Sequence, residues 1–455
     1  MTRLISLPSF IIVLAVSLIL SLEVEVLARS NKAMDRPAQR MDQKVLDRTS
    51  DRIEQRALDQ LEQKGFENSV VNRKALSLVR KIKNSKAGSL KHTRYQRKLA
   101  KSYGLALFEY AGREVLVRTS EIIAYNISDQ GTALKRKLNL KKIRAYQLSE
   151  LGINVEILSV ESKSGLLSVL SQLKKLDPKT DYDLNIIYTT SGSEIQASSL
   201  LEVDDHKGNG MSQGFSLGLI DTGINENHPS LKHANTIQKN FGRGESIMAR
   251  NHGTAVSSIA ARHGRVNLFV ADVFSDPFGF SDSESIIKAL NWLAQREIAV
   301  LNISLTGPDN PLLKFAIAKL NNNGHIIVSS VGNKGPKGPA QFPAAYSEVI
   351  AVTAVDVNNN IYKNANHGSY VDIAAPGVGI TAATLKKNKS YSGTSFATPF
   401  VSAAIALNYF DTDLIKANQT KQELFSGLID LGEEGFDPTF GHGLLKVKKD
   451  LISME

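Results

Sequence analysis

The sequence predicts an α/β protein: a doubly wound parallel sheet in the larger, second part, preceded by a charged helical segment and a small α+β domain. The chain has 455 residues, which exceeds one ordinary hydrophobic core and favours at least two folded parts. From Phe215 onward, apolar runs of strand length alternate with helical stretches. Such runs are typical of parallel strands covered by helices on both faces. They are "FSLGLID", "NLFVADVF", "IAVLNISL", "HIIVSSVG" and "VIAVTAV".

The first segment of the chain predicts export. Arg3 is followed by nineteen uncharged, mostly apolar residues, Leu4 to Leu22, and then by Val26-Leu27-Ala28. A basic start, an apolar stretch and small residues at its exit indicate a signal peptide over residues 1–28, cleaved after Ala28. The alternative is an uncleaved membrane anchor, because nineteen residues approach the length of a bilayer span. The sequence therefore predicts a secreted or periplasmic protein, with membrane anchoring as the alternative.

Four further segments follow, each with its own composition. Residues 29–102 are rich in charge and helix formers but too poor in apolar residues to fill a core, which predicts a charged helical segment. Short strands and helices over 103–190 predict the small α+β domain. Residues 191–211 are polar, with Gly and Ser, and predict an exposed linker that a protease can cut. The remaining residues, 212–455, form the main domain.

The charge distribution argues against a nucleic-acid partner. The formal net charge is +10, but residues 29–205 carry 32 Lys and Arg against 22 Asp and Glu, whereas 206–455 carry 22 against 21. The main domain is therefore nearly neutral and lacks the basic surface that binding to nucleic acid requires. The sequence contains no cysteine, which excludes a thiol nucleophile, a thiolate metal site and disulfides.

The stretch "GLIDTGINENHP" places Asp221 directly after an apolar strand, where parallel sheets carry their functional sites. Its Asp-Thr-Gly is also the motif of aspartic proteases. Those enzymes need two such loops, whose carboxylates share one proton, on a nearly all-β scaffold. This chain has one such loop in an α/β pattern, so the alternative is a carboxylate that orients the base of a serine hydrolase.

Three other residues complete that chemistry. His252 lies in "RNHGTAVSSIAARHG", after a possible N-cap at Asn251, and opens a short helix. Ser395 lies in "YSGTSFATPFVSAAIALNYF" at the start of an apolar helix, and we expect Pro399 in its first turn, where a missing N–H costs nothing. Asn333 follows an apolar strand in "SSVGNKGP". A serine hydroxyl needs a neighbouring base to become a nucleophile, and a histidine oriented by a carboxylate supplies one.

These residues resemble the subtilisin-like serine peptidases, or subtilases, from near Phe215 to "GHGLLKVKKDL". Five blocks occur in the family's order: "LIDTGI", "NHGTAV", "NISLTGP", "VGNKGP" and "SGTSFATPFVSAA". The resemblance implies a serine endopeptidase with Asp221, His252 and Ser395 as catalytic triad and Asn333 as oxyanion donor. The first half resembles the long pro-regions of bacterial members. This implies a zymogen whose pro-region acts as intramolecular chaperone and inhibitor and is removed by self-cleavage in or near 191–211.

The resemblance also implies a substrate-binding edge, which would pair with an extended peptide. Its residues are Ser304, Leu305, Thr306 and Gly307, with Thr306 where a glycine often stands. "QFPAAY" is similar to the segment that borders the S1 pocket, with a cis bond expected between Phe342 and Pro343.

We expect no cofactor. Members of the family often bind calcium, but the sequence shows no carboxylate cluster, and "DVNNN" at Asp356 predicts a turn instead. The expected partners are a protein or peptide substrate and the chain's own pro-region, and we expect a monomer.

Overall fold

The structure is a computed structural model, and it describes residues 104–110, 113–138, 140–160, 165–190, 193–194, 214–276 and 279–447. The predicted signal peptide, the charged helical segment and most of the linker lie outside the described residues. The predictions made for those three segments therefore stay predictions.

Residues 104–190, the small domain, form an antiparallel sheet with two helices. The sheet has the strand order β5-β2-β4-β3, and β1 pairs with the first half of β2. One face is buried under the helices, as the alternating burial along β4 shows. This is the α+β arrangement that the sequence predicts. The elements are β1 (Leu105–Tyr110), β2 (Arg113–Tyr125), α1 (Asp129–Lys137), β3 (Lys141–Leu148), β4 (Ile153–Ser159), α2 (Leu166–Leu176) and β5 (Asp181–Thr190).

Residues 214–447, the main domain, are built on a parallel sheet. In the described part of the chain this sheet has seven strands in the order β15-β14-β13-β11-β7-β9-β8. The predicted apolar runs form its central strands, where side chains are buried on both faces. The strands are β7 (Phe215–Asp221), β8 (Ala234–Asn240), β9 (Val266–Asp272), β11 (Val300–Ile303), β13 (Ile326–Ser330), β14 (Val349–Val355) and β15 (Ile373–Pro376).

Helices cover both faces of the parallel sheet. On one face α3 (Asn251–Ala260) packs beside α6 (Thr394–Ala406), which is buried along its length and crosses the central strands. On the other face lie α4 (Ser283–Ala294) and α5 (Pro311–Asn322). The last helix, α7 (Leu414–Ser426), is largely exposed. The doubly wound α/β prediction is therefore confirmed.

Five short strands remain: two of the main domain pair with β5 and so extend the small-domain sheet, and the other three form a separate small sheet. The five strands are β6 (Ser193–Glu194), β10 (Ser281–Asp282), β12 (Leu305–Thr306), β16 (Val378–Ala383) and β17 (Asn388–Ser392). Within the described ranges, no helix has both the length and the apolar composition needed to cross a bilayer.

The small domain packs on α4 and α5, and the two cores are continuous across this contact. Two side chains of β5 cap these helices. The carboxylate of Asp183 accepts from the backbone N–H of Leu312 at 3.2 Å, and the amide oxygen of Asn185 accepts from that of Glu284 at 3.3 Å. Both side chains thus satisfy N–H groups that a helix start leaves open.

Candidate active site

Asp221 and His252 meet at the carboxyl end of the parallel sheet. Asp221 is the last residue of β7, and its side chain is 1% exposed. His252 Nδ1 lies 2.8 Å from Asp221 Oδ1 and 3.0 Å from Oδ2. Because the carboxylate only accepts, Nδ1 carries the proton, and Nε2 of the neutral ring is left as an acceptor. The contact thus fixes the orientation of the imidazole and leaves Nε2 able to accept a proton.

The local structure around His252 differs from the prediction at Asn251. Helix α3 begins at Asn251 itself, and the N-cap residue is Arg250, which makes no capping bond through its side chain. The amide oxygen of Asn251 accepts instead from the backbone N–H of Leu385 at 2.9 Å. The N-cap prediction was therefore wrong, because a partner distant in sequence took the side chain.

Ser395 is the second residue of α6 and is fully buried in the chain. The ring of His252 lies against Phe396, with 5.5 Å between ring centroids, so the imidazole packs against the residue next to Ser395. The Ser395 hydroxyl donates to the backbone oxygen of Ser304 at 3.4 Å. Carboxylate, imidazole and hydroxyl thus come from three separate elements to one edge of the sheet.

Pro399 does not lie in the first turn of α6, so that prediction was wrong. The helix begins at Thr394, which makes Pro399 its sixth residue. Proline lacks an N–H, and the carbonyl four residues before it, that of Ser395, loses its helical donor. The hydroxyl of Ser304 donates to this carbonyl at 3.2 Å and satisfies it.

A buried chain of hydrogen bonds holds Ser304 in place. Its hydroxyl accepts from the amide of Asn302 at 2.9 Å, and the oxygen of that amide accepts from the hydroxyl of Ser402 at 3.0 Å. All three side chains are fully buried. The backbone of Ser395 is therefore fixed from β11 as well as from its own helix.

Asn333 lies in the loop after β13, beside the start of α6. Its amide oxygen accepts from the backbone N–H of Thr394 at 3.1 Å and from the hydroxyl of Thr394 at 3.2 Å. These donors fix the orientation of the amide, so Nδ2 points the other way. Nδ2 is buried and makes no hydrogen bond to any residue that the structure describes. A catalytic role is one of the explanations for a buried donor left open in this way.

The predicted substrate-binding edge is occupied by the chain itself. Strand β5 pairs antiparallel with β12, with Thr190 opposite Leu305 and Thr189 opposite Thr306, and also with β10. Gly307 instead exchanges two backbone hydrogen bonds with Phe342, both 3.0 Å long. The Phe342-Pro343 bond is cis, as expected. The end of β5 thus lies as a third strand in the groove between β10 and β12.

Tyr188 anchors β5 in this groove. Its side chain is fully buried, and its hydroxyl donates to the backbone oxygen of Pro308 at 3.1 Å. The ring lies directly on Gly307, where an added Cβ would come within 2.3 Å of the ring. Gly307 therefore provides the room that the aromatic side chain occupies.

The segment that follows β5 pairs with a second strand of the main domain, close to the start of α6. The short strand β6 pairs antiparallel with β17, with Ser193 opposite Ser392 and Glu194 opposite Tyr391. Strand β17 ends two residues before α6 begins. The chain thus reaches the edge of the site at Thr190 and has passed it at Ser193, and residues 191 and 192 lie outside the described ranges.

The described residues hold no group of three or more His, Asp or Glu side chains that could bind a metal ion. The carboxylate of Asp356 accepts from the backbone N–H groups of Asn358 and Asn360, at 2.9 and 2.8 Å. "DVNNN" is therefore the predicted turn.

Comparison with known proteins gives the family. The model of the Subtilase family matches residues 212–443, just over half of the chain. The chain belongs to the subtilase family. This membership places it in the class of serine endopeptidases, which act on proteins and peptides.

Several bacterial proteases match about half of the chain. Subtilisin DY of Bacillus licheniformis is 31% identical over 248 residues, which cover 51% of this chain and 89% of that protein. The minor extracellular protease Epr of Bacillus subtilis is 29% identical over 253 residues, 52% of this chain but 38% of Epr. Among solved structures, fervidolysin from Fervidobacterium pennivorans, a keratinolytic enzyme related to subtilisin, has a TM-score of 0.57 at 18% identity. The match covers 72% of this chain and 60% of fervidolysin, and it shows a shared fold.

The sequence did not indicate β10 or β6 as parts of this site. Ser281 and Asp282 precede α4, and Asp282 caps that helix by accepting from the backbone N–H of Ser285 at 3.0 Å. The sequence therefore predicted only a helix start at this point. A strand of two residues has no periodicity, and both β10 and β6 exist only through pairing with a distant segment.

Proposed function

We propose that this subtilase is a secreted serine endopeptidase, made as a zymogen that cleaves itself, with Asp221, His252 and Ser395 as catalytic triad. One observation carries the proposal. The oriented imidazole, the start of α6 with Ser395, and the open amide donor of Asn333 converge at one edge of the sheet. A nucleophile, its base and an oxyanion donor are the parts that acyl transfer needs.

The geometry leads to one sequence of steps. Ser395 Oγ bonds to the scissile carbonyl carbon while its proton passes to His252 Nε2, and Asp221 stabilises the imidazolium. The carbonyl oxygen becomes an oxyanion, which accepts from Asn333 Nδ2 and from the backbone N–H of Ser395 at the positive end of α6. The C–N bond then breaks, and His252 returns the proton to the leaving amine. Water releases the acyl group by the same steps in reverse.

We also propose that the small domain is the inhibitory pro-domain. In support, β5 lies in the groove as a substrate would, and Tyr188 is buried on Gly307. Because β6 pairs beyond Ser395, the bond that is cut first lies between Thr190 and Ser193, at the start of the predicted linker. Sequencing the N-terminus of the freshly processed enzyme tests this: we expect residue 191, 192 or 193. A first cut after Glu194 would contradict the proposal.

Secretion is proposed from the sequence over residues 1–28. We expect exported protein without these residues, with Arg29 as the N-terminus of the unprocessed Ser395→Ala chain. An N-terminus that retains Leu4 to Leu22, together with membrane association, would favour the anchored alternative.

The peptidase activity is tested by labelling with a fluorophosphonate probe. We expect the processed enzyme to be labelled at Ser395 and to hydrolyse a peptide substrate, with both properties lost in Ser395→Ala. Ser426→Ala, on the exposed end of α7, is the matched control and should behave like the wild type. A processed protein that takes no label and cleaves nothing would instead be a binding protein on a peptidase scaffold.

A further inference from the structure

Arg243 joins the groove to the small domain through one guanidinium group. It lies in the loop after β8. Its Nε donates to Asp282 Oδ2 at 2.8 Å, and its Nη2 lies 2.7 Å from Glu284 Oε2 and 2.9 Å from Glu121 Oε2. Two of these carboxylates belong to the main domain and the third to the small domain. The planar fork of arginine suits such simultaneous contacts, which a lysine cannot reproduce.

The two main-domain carboxylates shape one wall of the groove. Asp282 is half of β10, which pairs with β5, and it also caps α4. Its side chain is fully buried, and that of Glu284, in the first turn of α4, is 3% exposed. Two buried carboxylates so close in sequence repel each other unless a cation lies between them. Arg243 provides that cation.

The small domain adds its own members to this network. Glu121 on β2 also accepts from Arg144 at 2.9 Å and from the amide of Asn185 at 2.7 Å. Arg144 reaches Glu284 at 2.7 Å, and Arg118 reaches Asp282 at 3.3 Å. The network therefore crosses the contact between the two domains at several points.

The charges of the two sides are complementary. Arg118, Arg144 and Glu121 give the small-domain side a net charge of +1, while Arg243, Lys288, Asp276, Asp282 and Glu284 give the main-domain side −1. Over the whole chain no such complementarity exists, because the first half carries excess positive charge and the second is nearly neutral. Electrostatic recognition between the domains is thus local and depends on this network.

We propose that Arg243 is a positioning residue that keeps β10 in shape for substrate and also retains the pro-domain through Glu121. The inference rests on the proposed function. Before cleavage, Arg243 binds carboxylates of both domains. After the pro-domain leaves, Glu121 leaves with it, and Arg243 continues to hold Asp282 and Glu284. Glu121 therefore affects only the release of the pro-domain, whereas Arg243 affects both release and substrate binding.

The test compares Glu121→Gln with Arg243→Gln in the full chain. Three quantities are measured. The first is the delay between self-cleavage, seen on a gel, and the appearance of activity. The other two are the KM and the kcat of the active enzyme, with kcat expressed per labelled Ser395. We expect both variants to shorten the delay. Arg243→Gln should also raise KM by about 10- to 100-fold, the range for loss of a charged hydrogen bond, with little change in kcat. Glu121→Gln should leave KM and kcat unchanged.

Two further variants keep the test decisive. Arg243→Lys retains the charge without the fork, and we expect a KM between those of the wild type and Arg243→Gln. Glu109→Gln, on the exposed face of β1, makes the same change of charge in the small domain and should not alter the delay. Wild-type KM and delay in an active Arg243→Gln enzyme would overturn the inference. Absence of activity in the wild type would instead overturn the proposed function.

Discussion

The side-chain amide of Asn333 is hydrogen-bonded through its oxygen but not through its nitrogen, among the residues that the structure describes. Thr394 uses its oxygen, which fixes the orientation, while Nδ2 is buried without a partner among the described residues. Leaving a buried donor unpaired costs about 1–3 kcal/mol. A bound oxyanion would remove this cost in the transition state alone. The orientation is thus set before substrate arrives, as electrostatic stabilisation requires.

We therefore expect Asn333→Ala to lower turnover by about 10² to 10³ with little change in KM, because the lost bond forms only in the transition state. Steady-state hydrolysis of a peptide substrate measures both constants. Asn364→Ala, which removes the exposed amide of a residue whose backbone oxygen accepts from Gly335 in the same loop, should leave turnover unchanged. Unaltered turnover in Asn333→Ala would remove the residue from the oxyanion hole.

Ser304 compensates for the proline in α6. In a Ser395→Ala background, which prevents self-cleavage, we expect Ser304→Ala to lower the free energy of unfolding by about 1–3 kcal/mol, because the carbonyl of residue 395 loses its donor. Pro399→Ala restores a backbone N–H that can donate to the carbonyl of residue 395. This substitution should therefore stabilise the Ser304→Ala variant more than it stabilises the chain that retains Ser304. Denaturant unfolding of the four chains gives this coupling energy. Additive effects would show that the Ser304 hydroxyl and the N–H do not serve the same carbonyl.

Capping between elements sets how the small domain docks on the main domain. Asp183 on β5 is fully buried against the start of α5. Burial raises the pKa of Asp183 to about 6, although bonds from the backbone N–H groups of Leu184 and Leu312 partly oppose the rise. A folded-state pKa above the ordinary 3.8 means that the docked structure favours the protonated form.

This raised pKa predicts that the stability of the folded chain depends on pH. The stabilising contribution of protonated Asp183 is complete below pH 3.8 and is lost as the pH rises through about 6, a difference of about 3 kcal/mol for two pH units. In the Ser395→Ala chain, Asp183→Asn should therefore reduce the fall in melting temperature between pH 4 and pH 7. Asp411→Asn, at a carboxylate that is 75% exposed, is the control. An identical pH profile for Asp183→Asn and its parent would contradict the shift.

The sequence predicted the secondary-structure elements that depend on the composition of their own segment. The apolar runs of β7, β13 and β14 are buried on both faces, so composition alone predicted a parallel sheet. The short strands β6 and β10 could not be predicted, because their pairing partners lie far away in the chain. Asn251 and Pro399 were misjudged for the same reason: Leu385 takes the side chain of Asn251, and Ser304 removes the need for Pro399 to lie in the first turn.

For the candidate site, the order of the motifs suggested which residues react. It did not indicate the side-chain contacts that hold the surrounding groove in place. Asp221, His252 and Ser395 stand in blocks that follow the family's order, and the structure joins Asp221 to His252 and packs the imidazole against Phe396, the residue after Ser395. The contacts of Arg243 join residues 121, 243, 282 and 284, and no pattern in the sequence relates them. Such a network arises from tertiary packing, so only the folded chain reveals it.

At the scale of the whole molecule, the predicted substrate groove and the proposed pro-domain form one structure. The small domain shares its core with α4 and α5, caps both helices, and places β5 between β10 and β12. The segment that we propose is cut is thus held by the same chain that carries Ser395. Tethering of this kind makes the reaction intramolecular and gives it a high effective concentration.

We therefore expect Ser395→Ala to accumulate as a chain that lacks only the signal peptide, and wild-type cleavage to follow first-order kinetics. The half-time of cleavage, measured on gels, should not change over a hundredfold dilution, because each molecule cuts its own 190–193 segment. The Ser426→Ala chain should mature as the wild type does. A mature form of Ser395→Ala produced in the absence of other active enzyme would show that a different residue makes the cut. Cleavage that slows in proportion to dilution would mean that one molecule cuts another, and that β5 leaves its own groove before the bond is broken.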